Sequence, residues 1–152
     1  MIRKVTNDIE LNDILEIHKQ CILETNSLYY ETNVIKEWLS TITIENIKEQ
    51  LDKSTWIVYI RDNILGFAQY SLKDKSIFQI QVHPNYQGKS IGKEIYKYIE
   101  DDFRKENTEY ISIYSTLNAI PFYKSLGFEY IKDIYFPLEN EKIRMIEMRK
   151  YI

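Results

Sequence analysis

Two stretches of this sequence gather residue types that can do chemistry. In the first, Gln79-Ile80-Gln81-Val82-His83-Pro84-Asn85 runs into Tyr86-Gln87-Gly88-Lys89-Ser90-Ile91-Gly92-Lys93. Strand-like alternation stops at Pro84, and a glycine-containing loop leads into a long amphipathic helix. The first turn of a helix has unpaired N–H groups at the positive end of its dipole, and phosphates are its usual guests. Gly88 and Gly92 remove side chains where a ligand backbone or a neighbouring strand must come close. Lys89 and Lys93 add positive charge. The spacing is neither that of a nucleoside-triphosphate loop nor that of the three-glycine dinucleotide pattern. Taken alone, the stretch also fits a glycine-containing helix start with no ligand.

The second stretch is Thr116-Leu117-Asn118-Ala119-Ile120-Pro121-Phe122-Tyr123-Lys124-Ser125-Leu126-Gly127-Phe128. Asn118 is a suitable N-cap, Pro121 is tolerated in a first turn, and Gly127 suits the C′ position. Tyr123 then sits on a short helix. A phenol with a pKa near ~10 stays protonated at neutral pH and can act as a general acid. With 13 tyrosines in the chain, a packed aromatic on an amphipathic helix is the alternative.

The elements that must position these residues follow from periodicity. Ile2–Thr6 is a short strand, and Asp8 is expected to cap a helix carrying Leu11, Ile14, Leu15, Ile17, Cys21 and Ile22 at helical spacing. Two short helices fit Val34–Leu39 and Ile44–Leu51, the second capped by Thr43 or Thr41. Thr55–Arg61 and Ile64–Leu72 form a hairpin turning at Asp62-Asn63. Ser76–Val82 is a strand, with Phe78, Ile80 and Val82 alternating against Gln79 and Gln81. A helix is expected over Gly88–Lys105 with Ile91, Ile95, Tyr98, Ile99 and Phe103 on one stripe. Tyr110–Tyr114 is a strand, Ala119–Leu126 a helix, and Phe128–Phe136 and Lys142–Tyr151 are two closing strands. This order predicts a single α/β domain over residues 1–152: a mixed, mostly antiparallel sheet of about seven strands with flanking helices, and a right-handed strand–helix–strand unit in the middle.

The bulk numbers narrow the function classes. Twenty basic and 23 acidic residues give a net charge of -3, which lacks the basic field that general nucleic-acid binding needs. Cys21 is the only cysteine, so no intrachain disulfide forms and a reducing compartment is the natural setting. No apolar run reaches the ~20 residues of a membrane span, and the first residues lack a signal pattern. The expected location is therefore cytoplasmic. No metal ligand set is expected.

The first stretch resembles the pyrophosphate-binding element of the GNAT N-acetyltransferase superfamily, written Q/R-x-x-G-x-G/A. Gln87 fills its first place and Gly92 its last, while Ser90 stands where the middle glycine is usual. The second stretch resembles the family's second cofactor element, a helix bearing Phe-Tyr that ends in Gly-Phe. The resemblance spans roughly Thr55 to Tyr151. It implies a GNAT-like fold and direct acetyl transfer from acetyl-CoA to a primary amine. It also implies roles: backbone groups at Ile80, Gln81 and Val82 on the pantetheine arm, in a gap where the fourth and fifth strands splay. Gln87, Gly88, Lys89, Ser90, Ile91, Gly92 and Lys93 would hold the pyrophosphate, Val82 N–H would stabilise the oxyanion, and Tyr123 would protonate the thiolate. The family's cofactor-contacting Asn falls on Thr116, seven residues before the tyrosine, with Asn118 five before. Dimers are frequent in the family, which leaves a homodimer open.

The acceptor is not named by these residues. Candidates for the base are His83, His18, Glu24 and Glu31, beside a water relay. Tyr29, Tyr30, Glu31 and Trp38 lie in the segment expected to shape the acceptor site, where the aromatics wall a pocket or pack on the sheet. The rival readings are a non-catalytic acyl-CoA-binding module and an unrelated α/β phosphate-binding protein.

Overall fold

The computed structural model describes all residues, Met1–Ile152. Strand β1 (Ile2–Lys4) leads to helices α1 (Ile9–Glu24), α2 (Thr32–Thr41) and α3 (Ile44–Leu51). Strands β2 (Thr55–Arg61), β3 (Asn63–Ser71) and β4 (Ser76–Val82) follow, then α4 (Ile91–Lys105), β5 (Tyr110–Ser115), α5 (Ile120–Ser125), β6 (Glu129–Pro137) and β7 (Lys142–Tyr151). They form one seven-stranded sheet in the order β1-β2-β3-β4-β5-β7-β6. Every neighbouring pair is antiparallel except β4–β5, which is parallel and joined through α4.

Alternation along the strands gives the sheet two apolar faces. Ile57 and Tyr59 of β2 point to the face covered by α4, where Ile91, Ile95, Ile99 and Phe103 are essentially fully buried. Trp56 and Val58 point the other way, toward Leu11, Ile14, Ile17 and Cys21 of α1 and Ile47 of α3. Each fully buried Ile or Phe contributes roughly 1.5–3 kcal/mol, so the α4 stripe is a main anchor of the domain. Tyr96 joins that stripe instead of Tyr98, which is only partly buried.

Local chemistry moves several expected boundaries. Asp8 does not cap α1 with its side chain; Asn7 Oδ1 accepts from Glu10 N–H instead, at 3.2 Å. Thr43 does cap α3, accepting from Asn46 N–H. Helix α4 begins at Ile91 rather than Gly88, because Gly88 (φ 78) and Ser90 (φ 67) are left-handed. Asn118 is not an N-cap: Leu117–Ala119 form a separate 3-10 turn ahead of α5. The far end of α5 is a Schellman motif, with Gly127 N–H on Lys124 O and Phe128 N–H on Tyr123 O.

Candidate active site

The parallel pairing of β4 and β5 is short. It holds at Ser76–Ser112 and Ile77–Ile113, and from there to Val82 and Ser115 the two strands have no ladder between them. On its other edge β4 stays paired to β3 as far as Gly66–Val82, and His83 N–H donates to Leu65 O at 2.8 Å. An antiparallel ladder alternates its bonded pairs, so Gln81 N–H is turned to β3 while the N–H groups of Ile80 and Val82 are turned into the gap. Around that gap lies a cavity of about 1240 Å³. Its walls come from both faces of the sheet: Gly92, Phe122 and Tyr123 on the α4 side, and His18, Cys21 and Trp38 on the α1 side.

The loop between β4 and α4 is braced by its own side chains. Gln87 Nε2 donates to Val82 O at 3.1 Å, and His83 Nδ1 accepts from Asn85 N–H at 3.1 Å. Gly88 and Ser90 are left-handed, and with Ile91, Gly92 and Lys93 they border the cavity, so the first turn of α4, whose N–H groups have no intrahelical partner, lies beside it. A Cβ at Gly88 would meet nothing within 4 Å, so conformation alone asks for glycine there. Gly92 differs: a Cβ would come within 3.1 Å of Phe122 Cζ, so its bareness lets α4 close on α5. Lys93 borders the cavity; Lys89 does not, and its ammonium lies over the Tyr86 ring at 5.6 Å.

Tyr123 is buried at 3% exposure with its ring edge-on to Phe122 and Phe128, and it lines the cavity. Burial pushes its phenol above the ordinary value, which holds it in the protonated form. Thr116 and Asn118 also border the cavity, and Asn118 Oδ1 is buried without a hydrogen-bond partner.

On the α1 side, His18 packs edge-on against Phe67, and burial lowers its pKa to about 4. Cys21 Sγ donates to Val82 O at 3.2 Å, and burial lifts the thiol to about 12. A thiol so placed is no nucleophile at neutral pH. Trp38 lines the cavity and is also packed with Ile22, Val34, Ile35 and Ile143.

A family model described as an acetyltransferase (GNAT) domain matches residues 24–152. The chain belongs to the GNAT acetyltransferase family. It is 27% identical over 93 residues to an uncharacterized N-acetyltransferase, ycf52-like, of Prochlorococcus marinus, covering 55% of this chain and 52% of that protein. The chain thus spans about half the length of the curated relatives it matches. In solved structures the fold recurs in a GCN5-related N-acetyltransferase from Rhodopseudomonas palustris, with a TM-score of 0.92, 16% identity and coverage of 100% of this chain and 95% of that one. It recurs too in the PaiA N-acetyltransferase of Thermoplasma acidophilum in complex with coenzyme A, with a TM-score of 0.79, 19% identity and coverage of 100% and 98%.

Within this GNAT domain the structure separates residues that the sequence had grouped. Ile80, Gln81, Val82, Gln87, Gly88, Ser90, Ile91, Gly92, Lys93, Thr116, Asn118 and Tyr123 all border the one cavity. Tyr29 is exposed and lies off it, as do Glu24, Glu31 and His83. Tyr30 is a clamp: its hydroxyl donates to Arg144 O at 2.5 Å and accepts from Leu117 N–H at 3.1 Å, with its ring edge-on to Trp38. It thereby holds the Thr116–Asn118 turn against β7 rather than walling the cavity. Sequence reasoning missed Asn26, Gln50, Gln69, Phe78 and Tyr114 as cavity residues. Gln69, a lone amide in the apolar run of β3, was the readable signal among them.

Proposed function

We propose that this GNAT domain transfers an acetyl group from acetyl-CoA to a primary amine by direct attack in a ternary complex. The reading is carried by the split between β4 and β5, where two free strand N–H groups, the loop 87–93 and the Tyr123 hydroxyl border one cavity walled from both sheet faces. The donor brings an activated thioester carbonyl. Ile80 and the neighbouring β4 backbone hold the pantetheine arm in the place of a missing strand. Backbone N–H groups from Gly88 to Lys93 hold the pyrophosphate, with the Lys93 ammonium beside them. Val82 N–H donates to the carbonyl oxygen as negative charge builds there. As the amine nitrogen bonds to the carbonyl carbon and the C–S bond breaks, Tyr123 gives its proton to the departing sulfur. The amine's own proton leaves through water. Of the four candidate bases only His18 borders the cavity, and as a neutral imidazole it can accept from that water. The coenzyme A complex of the Thermoplasma protein supports the choice of donor.

The test is thermal unfolding with acetyl-CoA, CoA, ADP and ATP, followed by thiol release with a panel of amines. A ligand at ~100 times its dissociation constant stabilises by ~2.7 kcal/mol, which is several degrees for a chain of this size. Shifts with both CoA species, little with ATP, and amine-dependent thiol release are expected. A shift without release from any amine would leave a non-catalytic acyl-CoA-binding module. No shift up to millimolar CoA would overturn the reading.

A further inference from the structure

The α1 side of the cavity contains a run of side-chain amides. Gln81 Nε2 donates to Gln79 Oε1 at 3.3 Å, Gln79 Nε2 to Gln69 Oε1 at 3.0 Å, and Gln69 Nε2 to Gln50 Oε1 at 2.6 Å and Ser54 Oγ at 3.0 Å. The four glutamines come from α3, β3 and β4, and all four border the cavity. Gln69, at 5% exposure, spends both its donors on the run. Gln81, next to the split, donates once and accepts nothing, and Gln79 keeps a second N–H to give. The free capacity of the run is therefore the acceptor Oε1 of Gln81 and one spare N–H on each of Gln79 and Gln81, same-face neighbours on β4 beside Val82.

A second unpaired polar group borders the same cavity on β2, opposite Gln69. Trp56 lines the cavity at 6% exposure, and its indole N–H is buried with no hydrogen-bond partner. A buried donor left unpaired destabilises the fold, and a bound acceptor atom would recover that cost. Phe78 and Tyr114, stacked at 6.2 Å with a 7° interplanar angle, supply a flat apolar wall. Charge is absent from this half. The cavity's only carboxylate is Glu139, exposed in the β6–β7 turn, and its only ammonium is Lys93, at the start of α4.

These features discriminate among amines. A polyamine or an aminoglycoside would carry second and third cations into a cavity whose one carboxylate, Glu139, is exposed in the β6–β7 turn, and a free amino acid would bring a carboxylate to a β4 wall whose one nearby ammonium, Lys93, is already assigned to the donor. Either leaves a desolvated charge unpaired. A neutral amide offers both a donor, which Gln81 Oε1 can receive, and an acceptor carbonyl, to which the spare N–H of Gln79 or Gln81 can donate.

We infer that the acceptor is an α-amino amide with an apolar or aromatic side chain, either a small amino-acid amide or the amino terminus of a peptide, its amide bonded to Gln79 and Gln81 and its amine delivered to Val82. This rests on the acetyl-transfer reading. The experiment is thiol release from acetyl-CoA with phenylalaninamide, phenylalanine, phenethylamine and spermidine, and with a short peptide bearing an N-terminal phenylalanine. The expected result is a kcat/KM at least tenfold higher for phenylalaninamide than for the other three small amines; the peptide arm separates the two sources of the amide. Gln81→Leu should bring the ratio of phenylalaninamide to phenethylamine toward one. The isosteric Gln81→Glu, which serves if the leucine variant does not fold, should lower the same ratio and raise turnover of spermidine. Preference for spermidine or free phenylalanine, or an unchanged ratio in both variants, would overturn the acceptor assignment while leaving acetyl transfer intact. Absence of release from every amine would overturn both.

Discussion

Ser90 allows the strain in the loop between β4 and α4 to be measured directly. Its φ of 67° and ψ of 9° place an L-residue with a Cβ in the left-handed region, where the penalty is ~1–2 kcal/mol. Its side chain makes no capping hydrogen bond to repay that penalty. Ser90→Gly removes the clash but gives the unfolded chain more freedom, which returns ~0.4–1 kcal/mol. The net gain is centred on ~0.8 kcal/mol within a range of ~0–1.6, or about 2–3 °C in Tm at the ~2–4 °C per kcal/mol usual for this size. Differential scanning calorimetry of wild type, Ser90→Gly and Ser90→Ala reads it. The alanine variant keeps the Cβ and should not gain. Gly88→Ala runs the substitution in reverse at φ 78, with open space around the new methyl, and should lose a comparable amount. If Ser90→Gly melts at or below wild type, or Ser90→Ala gains as much, the left-handed turn is not the source of strain and the reasoning fails.

Three further outcomes are expected. Tyr123→Phe should lower kcat by ~10²–10⁴ while leaving the CoA-induced Tm shift in place, because only the general acid is lost; full activity would remove Tyr123 from that role. Tyr30→Phe strands Leu117 N–H and Arg144 O and should cost ~1–3 kcal/mol, read as a lower midpoint in urea with an unchanged slope. His18 titrates near 4 when folded and near ~6.5 when unfolded, so between those values the unfolded chain holds the extra proton and stability falls as pH is lowered. His18→Gln should flatten the stability profile from pH 6.5 to 5, above the range where Glu10, held at about 2 by its hydrogen bond to Arg3, begins to contribute in the same direction.

Local patterns carried most of the fold. Strand β4 was readable in its bounds, but a bulge opposite Gln69 and Tyr70 breaks the expected alternation, so Ile77 rather than Phe78 joins Ile80 and Val82 on the core face while Phe78 stacks on Tyr114; α3 was readable because Thr43 marks its start. The errors arose where backbone conformation or distant contacts decide. Gly88 looked like a helix start, but left-handed turns at Gly88 and Ser90 delay α4 to Ile91. Asn118 looked like a cap, but it sits in a 3-10 turn held from 87 residues away by Tyr30. The residues proposed to hold the donor lie in two continuous stretches, and most of them border the cavity. The acceptor half is assembled from α1, α2, α3, β3, β4 and the β6–β7 hairpin, and no single stretch announces it.

That division has an evolutionary consequence. Tyr123 and the free N–H groups of β4 belong to segments whose spacing is fixed by the sheet and by α4. The far wall is built in part from Ile134, Phe136 and Leu138 at the outer hairpin and from Trp38, Ile42 and Ile47 on α2, its C-terminal end and α3. Exposed β6 is the last strand of the sheet and is held there by β7 alone. On the proposed acetyl-transfer reading, substitution, lengthening or re-angling of that hairpin would alter which amine is admitted without disturbing the reacting groups, and a lineage would change acceptors through drift in the outer strand while keeping its chemistry.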